Sequence, residues 1–150
     1  EEKILNLLSG SVSARRVACI EWYEPLFRSG HWVPELVTMA GGIPFGKAGS
    51  HSAEIELDEL AEFDPDLLLL MPCGFDLDRT VREGRSLVQK LFEHTHLSET
   101  TCEVYATDGG YFFSRPGPRL WDGFAILATA LHRDLEDEIE TPEDSLERLV

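Results

Sequence analysis

The chain alternates short apolar runs with amphipathic stretches, and the two patterns predict different elements. Residues 66–71 (DLLLLM) are an almost unbroken apolar run, bounded by Asp64-Pro65 on one side and Pro72-Cys73-Gly74 on the other. A run that short, without polar alternation, predicts a strand buried on both faces, as in the middle of a parallel sheet. Residues 16–22 (RVACIEW) and 103–107 (EVYAT) are compact strand candidates, the second turned by Asp108-Gly109-Gly110. Helical spacing occupies the intervals. Within 31–40, Trp32, Leu36 and Met39-Ala40 share one helical face, and Gly41-Gly42 stops the helix. Residues 58–63 predict a short helix, and a longer one runs from a cap at Asp76 or Asp78 to about residue 92. In 119–132, Leu120, Phe124, Leu127 and Leu131 fall at helical spacing. Residues 4–8 read as the last turns of a helix that ends at Ser9-Gly10, with a small polar linker to residue 14. Residues 111–114 read as a brief extended piece.

Strands that alternate with helices predict an α/β fold, a Rossmann-like three-layer arrangement with a largely parallel central sheet flanked by helices. Such sheets bind ligands at the carboxyl ends of their strands. The loops after Ile20, Met71 and Thr107 are therefore where chemistry is expected. All three carry aromatic residues: Trp22, Tyr23 and Trp32 in the first stretch, Phe75 in the second, and Phe112 and Phe113 followed by Arg115 in the third. Aromatics just past strand ends suggest a platform for a large flat or partly apolar ligand, although any single ring could instead plug the core.

Charge narrows the partners. The 150 residues hold 28 acids against 13 bases, a formal charge of −15, which excludes sequence-blind binding to nucleic-acid phosphates. Residues 133–150 contribute eight of those acids and two of the bases, and predict a solvated acidic tail with a weak helix after Thr141-Pro142. No stretch approaches the ~18 apolar residues of a membrane span, and no leader-like segment opens the sequence. Three well-separated cysteines, Cys19, Cys73 and Cys102, make neither a disulfide framework nor a zinc motif.

Two enzyme-like signals remain. Cys73 and Arg79 stand six apart between a strand and a helix, the outline of a thiol-dependent phosphatase loop, but Asp76 and Asp78 between them would repel phosphate and hold the thiol protonated. His94 and His96 lack a third metal ligand at a useful spacing, and His31 and His51 stand alone in loops. No catalytic residue, resident metal or cofactor is expected. The competing non-catalytic reading is an interaction or dimerisation domain, held by aromatics left uncovered at the strand ends.

Several blocks taken together, RVACIEW, HWVPELVTMAGG, DELAEFDPDLLLLMPCGFDLDRT and VYATDGGYFFSRPGPRLWDGFAILATALH, resemble the cobalamin-binding branch of the metal-chelate binding proteins of ABC importers. The resemblance runs in order from about residue 16 to 132. It covers only the carboxyl-terminal lobe of such proteins, in which two α/β lobes joined by a long helix hold a ligand between them. It implies that 1–14 is the end of the inter-lobe helix and its linker, 15–132 the lobe, and 133–150 the tail. It also implies an extracytoplasmic location and a small-molecule metal chelate as ligand, with cobalamin, a ferric siderophore and haem all open. Trp22, Tyr23, Phe75, Phe112, Phe113 and Arg115 would then form the cleft wall. Asp58 or Glu59, on the short helix before Asp64-Pro65, would dock to arginines of a permease, and the unmatched first lobe or a second copy of the chain would face the aromatics.

Overall fold

The computed structural model describes residues 2–10 and 14–150; residues 11–13 of the expected linker lie outside that set. Three parallel strands form the centre of the sheet: β1 (Arg16–Trp22), β5 (Leu67–Leu70) and β6 (Glu103–Thr107). Their register aligns Ala18 with Leu68 and Leu68 with Val104. The leucine run is β5, and its four residues are 0 % exposed, as a strand covered on both faces requires. The alternation of side chains sorts the core into two halves. Val17, Cys19, Leu67, Leu69 and Tyr105 face one, Ala18, Ile20, Leu68, Leu70, Val104 and Ala106 the other.

Helices cover both faces. On the first face lie α2 (Val33–Met39), α5 (Gly109–Phe112) and α6 (Leu120–Leu131), with Leu8 of α1 (Glu2–Leu8) packed among them. On the second lie α3 (Leu57–Phe63) and α4 (Leu77–His94). The helix α4 starts where its cap predicts: the Asp76 carboxylate accepts from the Arg79 backbone N–H at 2.8 Å. The α2 face differs in one residue from the expected stripe, because Met39 points outward while Val33, Pro34, Leu36 and Val37 are buried. Short strands β2 (Phe27–Arg28), β3 (Ile43–Pro44) and β4 (Ala53–Glu54) complete the β1 side, with β2 antiparallel to β1 and β4 outermost.

Two expectations are corrected. Residues 111–114 are not extended. The Asp108 carboxylate accepts from the Tyr111 N–H at 2.8 Å and starts the helical turn of α5. The acidic tail is not an appendage either. Its residues Leu146–Arg148 form β7, antiparallel to β6, and Thr107 Oγ1 donates to the Ser145 carbonyl at 2.7 Å. Ile139 is 4 % exposed within the first core half, and the only helical turn of the tail is the 3₁₀ turn Arg133–Leu135.

The amino ends of the central strands are closed by polar ties. Arg15 pairs with Glu103 at 2.9 Å, Arg16 pairs with Asp64 at 2.6 Å, and the Asp66 carboxylate accepts from the Arg16 N–H at 2.7 Å. The carboxyl ends are left open to the loops. No helix among the described residues is long and apolar enough to cross a membrane.

Candidate functional site

The loops after β5 and β6 are drawn together by one contact that only glycine permits. A Cβ at Gly109 would lie 2.0 Å from the Met71 carbonyl oxygen, so the first turn of α5 rests directly on the backbone at the end of β5. Above this contact opens a surface cavity of about 700 Å³, lined by Phe75, Asp108, Tyr111, Arg115 and Arg119 among others. A smaller cavity of about 200 Å³ lies beside it over Glu21, His31, Trp32 and Phe113, and Cys73 and Ser114 border both. The site thus sits at the carboxyl ends of the parallel strands, where the alternation of elements places it.

Phe75 is buried beneath the rim. Trp22 meets it edge-on at 5.3 Å and the Arg79 guanidinium lies over its ring at 3.7 Å. Trp22 stays exposed. Trp32 is half-buried, and its indole N–H donates to the Phe113 carbonyl at 2.9 Å. Arg115 is exposed in the wall of the larger cavity. Phe75 and Arg115 thus line the larger cavity and Trp32 the smaller, while Trp22 lines neither and adjoins them through Phe75.

Three others are not in the wall of the larger cavity, although Phe113 lines the smaller one. Tyr23 turns to the second face, where its hydroxyl donates to the Thr80 carbonyl of α4 at 2.8 Å; burial, with the Glu83 carboxylate nearby, raises its pKa. Phe112 and Phe113 are buried in the first core half, Phe113 at 1 % exposure. The α5 turn is the reason. It rotates each successive side chain by about 100°, so that two of the three aromatics point into the core and the third points out. That third ring is Tyr111, 50 % exposed, with the Arg119 guanidinium stacked over it at 3.8 Å. Tyr111 and Arg119 are thus the mouth residues that sequence reasoning missed. Asp108 read as a helix cap, rather than as part of a turn, would have been the signal for Tyr111; no local signal joins it to Arg119.

The phosphatase outline does not assemble. The Cys73 thiol donates to Glu21 Oε1 at 3.6 Å and receives the Ser114 hydroxyl at 3.5 Å. Burial pushes its pKa up, the Ser114 hydrogen bond opposes this, and the Glu21 carboxylate reinforces it, so the thiol is protonated at neutral pH. Burial is the main cause, and the carboxylate that adds to it is Glu21, a strand residue, rather than the two aspartates downstream. Arg79 pairs with Glu83 at 2.9 Å while it covers Phe75. Elsewhere, His96 pairs with Asp64 at 3.0 Å, His31 and His51 meet edge-on at 5.5 Å, and no group of three metal-ligating side chains occurs among the described residues. Asp58 and Glu59 are both exposed on the first turn of α3; Glu59 accepts from the Glu56 N–H at 2.7 Å in a capping box, whereas Asp58 points to solvent.

No family model and no curated protein matches the sequence. Solved structures do. The periplasmic haem-binding protein of Pseudomonas aeruginosa superposes with a TM-score of 0.69 at 17% identity, covering 98% of this chain and 52% of its own. The periplasmic vitamin B12 binding protein of Vibrio cholerae gives 0.64 at 16% identity, covering 86% and 48%. A TroA-like periplasmic binding protein of Veillonella parvula gives 0.67 at 16%, covering 91% and 45%. The chain spans about half the length of the structures it matches, and its fold is that of an α/β lobe of periplasmic binding proteins.

Proposed function

We propose that this chain forms the ligand-gripping lobe of an extracytoplasmic solute-binding protein that serves an ABC importer, and that its ligand is a metal chelate. The observation that carries the reading is the open cavity of about 700 Å³ at the carboxyl ends of the strands, bordered by rings and guanidinium groups. Its volume lies in the range of ligand sites, and its open side leaves the far face of a bound molecule for a second lobe. Trp22 and Tyr111 supply flat apolar contact beside the cavity and are exposed, as surfaces that close on a large planar ligand must be. The solved structures of like fold carry names that include vitamin B12 and haem binding, which supports the chelate class without choosing within it. Asp58 is the docking carboxylate we assign to the permease, since Glu59 is engaged in its own helix cap.

Titration of the 150-residue chain with cyanocobalamin, iron protoporphyrin IX and a ferric hydroxamate, followed by absorbance and calorimetry, tests the reading. Saturable binding of one of the three, weakened by Trp22→Ala, is the expected result. No response to any of them at high-micromolar ligand refutes it.

A further inference from the structure

The larger cavity is richer in bases than the chain around it, with two arginines balancing two aspartates in its lining. Bases are outnumbered about two to one overall, yet Arg115 and Arg119 both line this cavity. Neither guanidinium makes an ion pair among the described residues; Arg28, Arg82 and Arg85 make none either, whereas Arg15, Arg16, Arg79, Arg133 and Arg148 do. The two carboxylates in the same lining are already committed. Asp76 accepts from the Arg79 N–H and Asp108 from the Tyr111 N–H, each at 2.8 Å, so their charge is set against the positive amino ends of α4 and α5.

Arg119 is also held in place. It occupies the cap position of α6 and its guanidinium is seated on the Tyr111 ring at 3.8 Å. A guanidinium stacked on an aromatic face keeps its planar fork of N–H donors for an in-plane acceptor, the geometry that fits a carboxylate. Stacking also restricts the long side chain before any ligand arrives, so less freedom is lost on binding. A neutral edge would leave both cations covered but unpaired.

We infer that the ligand carries carboxylate groups on the edge that enters this cavity, and that Arg115 and Arg119 read them. The inference rests on the chelate-binding reading and narrows it to acid-bearing chelates over those with only amide or ester edges.

Iron protoporphyrin IX, its dimethyl ester and cyanocobalamin separate the two claims, in matched detergent and followed by absorbance. The acid should bind at least about tenfold more tightly than the ester, with the gap shrinking as salt rises. Arg119→Gln and Arg115→Gln should each narrow the gap to about threefold or less. Arg82→Gln removes the same charge from an exposed site on α4 outside the cavity and should leave the gap intact. Circular dichroism and thermal unfolding confirm that the variants fold. Equal binding of acid and ester, or an equal loss in Arg82→Gln, overturns the inference while the chelate reading stands. Binding of cobalamin but of neither porphyrin does the same. No binding of any of the three overturns both.

Discussion

Gly109→Ala isolates the contact that builds the mouth. The added Cβ would lie 2.0 Å from the Met71 oxygen, 2.5 Å from its carbonyl carbon and 3.0 Å from its Cα, where ordinary contact begins at 3.4 Å. Every obstacle is backbone, so no rotamer change relieves it, and the ends of β5 and β6 would have to part by about 1.4 Å. The Met71 N–H bond to Ile20, the Ser114 and Phe113 bonds to the Gly109 carbonyl, and the burial of Phe112 and Phe113 all depend on that spacing. Overpacking costs about 1–3 kcal/mol where side chains can adjust, so a backbone obstacle belongs at the upper end, about 3 kcal/mol. For a domain of this length that lowers the melting temperature by about 6–12 °C. Gly110→Ala is the control. Its Cβ meets the Gly74 nitrogen at 3.2 Å, a contact relieved by a few tenths of an ångström. Alanine's helical preference of up to about 1 kcal/mol favours both variants equally, so it cancels from the comparison. Urea unfolding of the two variants reads the difference. A Gly109→Ala protein within about 1 kcal/mol of Gly110→Ala would refute the claim that this approach positions the mouth.

Two further outcomes follow from the core. Ile139→Ala should cost about 2–4 kcal/mol in urea unfolding, because Ile139 is buried among the α6 side of the core; a loss below about 0.5 kcal/mol would return residues 133–150 to the status of a dispensable tail. Burial pushes the Cys19 and Cys102 thiols from 9.0 up to about 12, so the folded state holds both protons more tightly than the unfolded chain. That contribution to stability is fully present below pH 9 and is lost as pH rises towards 12, at up to about 1.4 kcal/mol per pH unit for each thiol. Unfolding free energies at pH 8, 9.5 and 10.5 should fall in that order, and Cys19→Ala should flatten the decline; a level profile would contradict the burial argument.

Much of the architecture was readable before any coordinates. The leucine run of β5, the cap at Asp76 and the stop at Gly41-Gly42 depend on neighbours within a few residues, and local chemistry decides them. Placing the site at the carboxyl ends of the strands needed only the order of elements. The composition of its wall did not follow from that order. Tyr111, Phe112 and Phe113 are equivalent as letters, and a single helical turn exposes one and buries two. Tyr23 is likewise one residue from Trp22 and ends on the opposite face of the sheet, bonded to α4.

Burial within a continuous apolar run is a property of the chain itself, since such a segment has nowhere stable to lie except between two covered faces. Partnership between distant polar residues is a property of packing. Arg119 meets Tyr111 because α5 and the turn after it fold back over the end of β6, and Leu146–Arg148 becomes a strand because the β6 edge lies open beside it. Neither relation leaves a periodic trace in sequence, since charged residues on an outer strand look like charged residues on a tail. The acidic excess was evident at once, but the placing of Arg115 and Arg119 together at the mouth depended on how the chain folds.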